Sequence, residues 1–552
     1  MMDKGLKSQT EFDYIIIGAG AAGCVLASEI IKDGRFSVCL IEGGRKDTSR
    51  WIHIPATMFK TLNTQDASRV ISEPDASLDD RNFVVPQGTV LGGGSSINGM
   101  IYMRGQAKDY NDWEINHGCV GWSYKDVLPI FINQEKNTRL SKPFHGKDGP
   151  LRVSDPEYKH PINSAIIESA LQAGLSSNED FNGANQEGTG WYQVTAHKGK
   201  RYSAATSFLK PQLHSEQLTL LTNTKAHNIL FSNYKATEVA ISNQFGQKKL
   251  KAKREIILSA GSFQSPKLLM QSGIGPEENL LRAGIDVIHN SVNVGANLQD
   301  HVGTPVTMKL RKKIGLHDED KGFKAIKNGL NYYALKRGLL TSNILEAGAC
   351  VDTSGKGRPD VQFNFAPFAA GPPGKPPLPI HAVQVSPMTM RPKSRSRLYL
   401  DTSNPNASLK FYANMLADPE DLDTLRRGIR LAREIFRQRP ISDMVEDEIW
   451  PGNGVSSTVG SNTLDDRIRE QARTIFHPAG TCRMGPQKND VLDLDLRVNG
   501  VEGLRVVDCS IMPALVSGNT NAPTMMIAGK ACLLYTSPSP RDATLSRMPS
   551  SA

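Results

Sequence analysis

The stretch from Phe12 to Gly44, FDYIIIGAGAAGCVLASEIIKDGRFSVCLIEGG, constrains the fold more than any other part of the chain. Tyr14 to Ile17 is a short apolar run ending on Gly18, the pattern of a parallel strand covered on both faces. Gly18, Gly20 and Gly23 then fall in G-x-G-x-x-G spacing. The first permits a tight turn, the second lets backbone approach a pyrophosphate, and the third lets a helix pack close on the strand. Ala21 to Lys32 has helical spacing, so its first amides face the phosphates, and Ser37 to Ile41 reads as a second strand. Glu42 stands at the end of that strand, nineteen residues past Gly23. A carboxylate there accepts from both hydroxyls of an adenosine ribose and repels a 2′-phosphate. Three glycines alone carry little weight. Strand, turn, helix, strand and terminal acid together point to NAD or FAD rather than NADP, and the motif does not separate those two.

A chain of 552 residues has room for two or three domains. Its net charge of +9 is modest for that length: it permits weak attraction to acidic lipid or anionic substrates, but no concentrated basic patch suggests nucleic-acid binding. The seven cysteines are scattered and never in C-x-x-C spacing, which argues against a disulfide framework, a zinc knuckle and a redox dithiol; no metal site is expected. MMDKGLKSQTEFDY, at the start, holds no apolar core of a secretory signal, and no run of about 20 apolar residues exists to span a bilayer. The expectation is a cytoplasmic protein, with peripheral contact at the inner membrane permitted.

Val84 to Gly105, VVPQGTVLGGGSSINGMIYMRG, is the next informative block. Gly92, Gly93, Gly94, Ser95 and Ser96 form a backbone cradle able to pass closely along a flat cofactor. The block resembles the first signature of the glucose-methanol-choline (GMC) oxidoreductases, which bind FAD, and GSFQSPKLLMQSGIG at 261–275 resembles the second. The resemblance implies FAD as cofactor, with Val90, Gly93, Asn98, Gly99, Met100 and Ile101 against the flavin and Ala226 on the adenine side. Family members with a covalent flavin carry His where this chain has Ile97, so non-covalent FAD is implied; Thr89 and Gly94 also depart from the usual pattern. RYSAATSFLKP at 201–211 and VGANLQDH at 294–301 resemble family segments too.

Elsewhere the pattern predicts one helix between Asp112 and Asn137, a turn at FHGKDGP whose His145 is structural, a helix over Pro161 to Leu175, and loop from Asp180 to Gln193. Strand-like runs occupy Leu218 to Ile241, Glu255 to Ala260, Val361 to Ala366 and Ala382 to Met388. Leu422 to Phe436 reads as an amphipathic helix with a solvated arginine face formed by Arg426, Arg427, Arg430, Arg433 and Arg437. FAPFAAGPPGKPPLPIHA is a Pro-rich loop with even claims to overhang an active site or to be plain surface.

TIFHPAGTCRMG at 474–485 matches the family's active-site histidine segment, and the resemblance makes His477 the general base and Asn521 the second catalytic residue, with Asp508 and Thr524 near the flavin. The chemistry is coherent. An alcohol carbon gives up hydride only as its hydroxyl loses the proton, and neutral imidazole, with a pKa of about 6.5, takes a proton at neutral pH.

The fold expected is α/β and α+β: a discontinuous Rossmann-like FAD domain at 12–301 and 460–531, with inserted substrate-domain residues near 145–200, and a sheet-containing substrate domain at 302–459. The function expected is FAD-dependent oxidation of a primary aliphatic or aromatic alcohol, with a quinone, an electron carrier or oxygen as acceptor. Choline is the named alternative, with Glu346 a candidate counter-ion. A photodecarboxylase of the same family is disfavoured by His477 and Asn521, and a catalytically idle flavin-binding or electron-transfer protein remains the reading from another class. CLLYTSPSPRDATLSRMPSSA, from Cys532 on, has no helical period and resembles translated adapter sequence; it is expected to be a disordered, non-native tail, after a terminal helix that starts near IAGKA.

Overall fold

The computed structural model describes residues 9–32, 34–406, 409–455 and 462–536. Its centre is the parallel sheet that the first fifty residues predict. Glu11–Ile17 lies between Val38–Ile41 and Gly246–Leu258, all parallel, with Leu218–Leu221 beyond Val38–Ile41 and Leu504–Val506 beside Gly246–Leu258. Lys235–Asn243 and Lys225–Ser232 extend the sheet antiparallel. Ile15, Ile16, Val38, Leu40, Ile256 and Ile257 are fully buried, as strands covered on both faces require. The helices Ala21–Ile31 and Asn521–Thr536 pack against each other on this sheet, so the two ends of the chain share one core.

A second, mostly antiparallel sheet runs in the order Val445–Trp450, Val306–Leu310, Ala382–Thr389, Val361–Ala366, Ala347–Val351, Gly188–Trp191. The fold is therefore α/β, a Rossmann-like unit joined to a second unit built on its own sheet.

Several expectations change. The region 112–137 is not one helix but two, Ala107–Ile115 and Tyr124–Gln134, followed by the short strand Glu135–Asn137. Gly118 and Gly121, at φ +69° and +84°, break the first, and Ser123 starts the second with a capping box to Asp126. The stretch expected as loop at 180–193 contains the strand Gly188–Trp191, whose β pattern is masked by two glycines. The last helix starts at Asn521, one turn and more before IAGKA, and runs through Thr536 with Cys532 buried, so ordered chain extends past Ala531. The remainder of the expected tail, 537–552, lies outside the described residues. The arginine face is solvated only in part: Arg430 and Arg437 are exposed, but Arg426 pairs with Asp465, Arg427 with Asp360 at 3.0 Å and Arg433 with Glu448 at 2.6 Å, clamping helix Pro419–Arg437 to its neighbours. None of the seven cysteines, all among the described residues, forms a disulfide.

Candidate active site

The glycine turn is built from contacts that only glycine permits. A Cβ on Gly23 would stand 1.9 Å from the Gly18 carbonyl oxygen, so Gly23 lets the helix lie against the strand. Gly93, at φ +52°, would bring a Cβ within 2.8 Å of the Gly20 Cα. Two turns far apart in sequence thus abut backbone to backbone and leave a floor without side chains.

That floor belongs to a cavity of about 1050 Å³. Gly18, Gly20, Glu42, Gly93, Asn98, Gly99, Met100, Ile101, Ala226, Asp508 and Thr524 line it, together with His477 and Asn521. Two residues assigned to the cofactor do not: Gly23 shapes the turn behind the wall, and Val90 is buried beside Ile52 and Ile97, bridged to Arg45.

The donors and acceptors suit an adenine dinucleotide. Glu42 accepts from the Ala19 amide at 2.9 Å through one oxygen and from the Gly44 amide at 2.8 Å through the other. That fixes the carboxylate at the strand end with lone pairs left for a ribose diol. Burial pushes its pKa up to about 6. Asp508 accepts from the Gly261 amide at 2.8 Å, the Ser265 hydroxyl at 2.6 Å and the Ser510 amide at 2.8 Å, tying the second glycine turn to the segment after Leu504–Val506. At the cradle Asn98 accepts from the Met100 amide at 3.1 Å and from Arg201 at 2.7 Å. Arg201 is wholly buried and also donates to the carbonyls of Asn98 and Ile52, both at 2.8 Å. Among the described residues it has no carboxylate partner; burial alone lowers its pKa to about 9.

His477 is the focus of the remaining geometry. Phe476 before it has φ +70°, uncommon for a bulky residue, and Pro478 follows. The His477 amide donates to Asp300 at 2.9 Å. Its ring Nδ1 lies 2.9 Å from Nδ1 of His301, whose Nε2 lies 3.0 Å from the Met390 carbonyl oxygen. A carbonyl only accepts, so the His301 proton sits on Nε2 and its Nδ1 is a bare acceptor. Nδ1 of His477 must then donate, which leaves His477 Nε2 unprotonated. Both rings are neutral: burial, reinforced by His301, drives His477 well below the usual imidazole range, and burial brings His301 down to about 4. Asp300, buried beneath them, is raised to about 7 by desolvation.

The partner of that Nε2 is Asn519, whose Nδ2 lies 3.1 Å away and whose Oδ1 accepts from Gln362 at 3.3 Å. Asn521 begins the last helix and faces the same cavity, but among the described residues no hydrogen bond joins it to His477. Sequence reasoning assigned no role to Asn519, Asp300 or His301; the adjacent Asp-His pair in VGANLQDH was the available signal.

Glu346, a candidate counter-ion, is fully buried outside the cavity lining. It accepts from the His160 amide at 2.6 Å, from Asn163 at 3.1 Å and from the Ser342 hydroxyl. His145 is buried between Glu135 at 3.0 Å and Asp180 at 3.0 Å, outside the lining.

Models of the GMC oxidoreductase family match residues 12–303 and 392–528. The chain belongs to the GMC oxidoreductases. This oxidoreductase is 39% identical over 531 residues to an alcohol dehydrogenase [acceptor] of Pseudomonas putida, covering 94% of this chain and 95% of that one. It is 38% identical to a mitochondrial choline dehydrogenase of Mus musculus, covering 94% and 89%. Among solved structures it is similar to pyridoxine 4-oxidase from Mesorbium loti, with a TM-score of 0.85 and 27% identity over 95% of this chain and 99% of the other. A formate oxidase at 24% identity, TM-score 0.87, covering 95% and 98%, shares the fold. As a GMC oxidoreductase it is an FAD enzyme acting on CH–OH donors, passing electrons from a small alcohol to an acceptor.

Proposed function

We propose that this oxidoreductase converts a neutral primary alcohol, aliphatic or aromatic, to its aldehyde, with His477 as the base. The observation that carries the reading is the histidine pair beside Met390: it leaves His477 Nε2 unprotonated in the cavity, its lone pair facing the Asn519 amide. A bound alcohol displaces the Asn519 amide from that lone pair: its hydroxyl donates the proton to His477 Nε2, and the Asn519 amide donates instead to the alcohol oxygen, holding it in place as negative charge develops there. Asn519 therefore takes the role expected of Asn521. Glu42, the two abutting glycine turns and the 98–101 segment would hold FAD, which would supply the hydride acceptor. Ile97 lines the cavity without a nucleophilic atom, which supports a non-covalent cofactor.

A neutral substrate is favoured over choline by charge. Among the described lining residues the carboxylates are Glu42 and Asp508, both occupied by backbone amides, while Arg81 and Arg473 stand on the same wall as Phe476. Phe59 and Phe368, edge to face at 5.4 Å, add an aromatic surface suited to an apolar substituent. We also infer the division into an FAD domain at 12–301 and 460–531 and a substrate domain at 302–459 with a contribution near 145–200. The place of Gly188–Trp191 in the second sheet and of Leu504–Val506 in the first supports it.

Anaerobic mixing with benzyl alcohol, a medium-chain primary alcohol and choline, with flavin absorbance followed, tests the reading. The two neutral alcohols should bleach the flavin and choline should do so far more slowly. Choline as the fastest substrate overturns the neutral class, and no bleaching by any alcohol favours an idle flavoprotein.

A further inference from the structure

Helix Gly322–Leu335 carries Phe323, Ile326, Leu330 and Tyr333 at i, i+3, i+7 and i+10, one stripe along its length. All four face solvent, 80%, 60%, 63% and 56% exposed. The helix is held on its opposite side, where Tyr332 is buried and its hydroxyl donates to the Gly199 carbonyl at 2.7 Å. The stripe is thus presented outward by a fixed helix. Soluble proteins seldom leave a contiguous apolar row of this kind uncovered.

Cations border it. Lys324 and Lys327 lie along the helix, Lys336 and Arg337 follow its end, and Lys312 and Lys313 are exposed in the lead-in segment. Three acids precede the helix, and each already has a cation: Asp318 pairs with Lys321 at 2.7 Å, Glu319 with Lys324 at 2.9 Å and Asp320 with Lys60 at 3.4 Å. Among the described residues Lys312, Lys313, Lys327 and Arg337 make no ion pair, so the rim is net positive.

We propose that this helix is a docking surface for an anionic lipid bilayer. It lies flat with Phe323, Ile326, Leu330 and Tyr333 among the acyl chains and its lysines at the headgroups. A second copy of the chain fits less well, because pairing two such faces opposes like-charged rims. The segment leading into the helix also touches one wall of the cavity. The Leu316 amide donates to Pro367 at 2.8 Å, His381 contacts the Gly315 carbonyl at 3.0 Å, and Lys60 belongs to the helix Met58–Thr61 whose Met58 and Phe59 line the cavity. Docking therefore brings the Phe59–Phe368 wall next to the lipid.

Flavin-loaded full-length protein should co-sediment with vesicles of phosphatidylcholine and phosphatidylglycerol at about 7:3, and less with phosphatidylcholine alone. The pair Ile326→Asp and Leu330→Asp should lower the affinity for mixed vesicles by about tenfold or more while flavin content and reduction by alcohol stay unchanged. Lys327→Gln with Arg337→Gln should weaken binding to mixed vesicles and leave binding to the zwitterionic ones unaltered. The proposal is overturned if the parent stays in the supernatant with mixed vesicles, or if the aspartate pair binds as the parent does. It is equally overturned if sedimentation velocity shows a dimer that the aspartate pair converts to monomer, which would assign the stripe to a second copy.

Discussion

The Met390 carbonyl at His301 Nε2, one of two backbone partners of that ring with Val516, sets the tautomer of His301 and through it that of His477, and this is what makes His477 a base rather than a buried imidazole of undefined tautomer. Removing Asn519 should therefore matter more than removing Asn521: Asn519→Ala should slow flavin reduction by about 10 to 100-fold, the cost of one hydrogen bond to a developing charge, and Asn521→Ala by less. Equal effects, read by stopped-flow absorbance, would return the role to Asn521. The pH profile follows from the same contacts. Burial first, and the neighbouring His301 second, hold His477 below the ordinary imidazole range, with Asp300 facing its amide. The base is active when neutral, so the acid limb that His477 itself sets on kcat/KM should lie well below about 6.5, apart from any change near 7 as Asp300 takes a proton. An acid limb centred at or above about 6.5 that persists in Asp300→Asn would contradict that assignment.

Among the elements, the strand-turn-helix unit was legible because every requirement is local: apolar strand, glycines at fixed spacing, acid at the next strand end. Gly23→Ala tests it. A methyl at 1.9 Å from the Gly18 oxygen forces helix and strand apart, which should cost about 2 to 3 kcal/mol and lower the thermal midpoint of the flavin-loaded protein; an unchanged midpoint would mean the turn relaxes freely. What the sequence hid has equally physical causes. The break at Gly118 and Gly121 interrupts a run whose apolar spacing continues across it, and Gly188–Trp191 becomes a strand only because Ala347–Val351 pairs with it from far along the chain. The arginines of Pro419–Arg437 have the spacing of a wet face, and Arg430 and Arg437 are exposed, yet Asp360, Glu448 and Asp465 arrive from elsewhere to pair with Arg427, Arg433 and Arg426. The stripe on Gly322–Leu335 shows the converse: periodicity marks an apolar face but not whether anything packs on it.

On the scale of the molecule, residues from both ends of the chain surround one cavity, so the cofactor should cross-brace the fold. Stripping FAD should lower the melting temperature, and added FAD should restore it with a concentration dependence; an apoprotein as stable as the holoprotein would count against the shared site. Acid precipitation should leave intact FAD in the supernatant, as Ile97 implies, whereas flavin retained in the pellet would mean a covalent link. The account turns on His477 as the group that takes the alcohol proton. The direct measurement is anaerobic flavin reduction by a saturating primary alcohol in the parent and in His477→Ala, both with full flavin content. The variant should reduce about 100-fold or more slowly with its flavin spectrum intact; a variant that bleaches as fast as the parent would contradict the account.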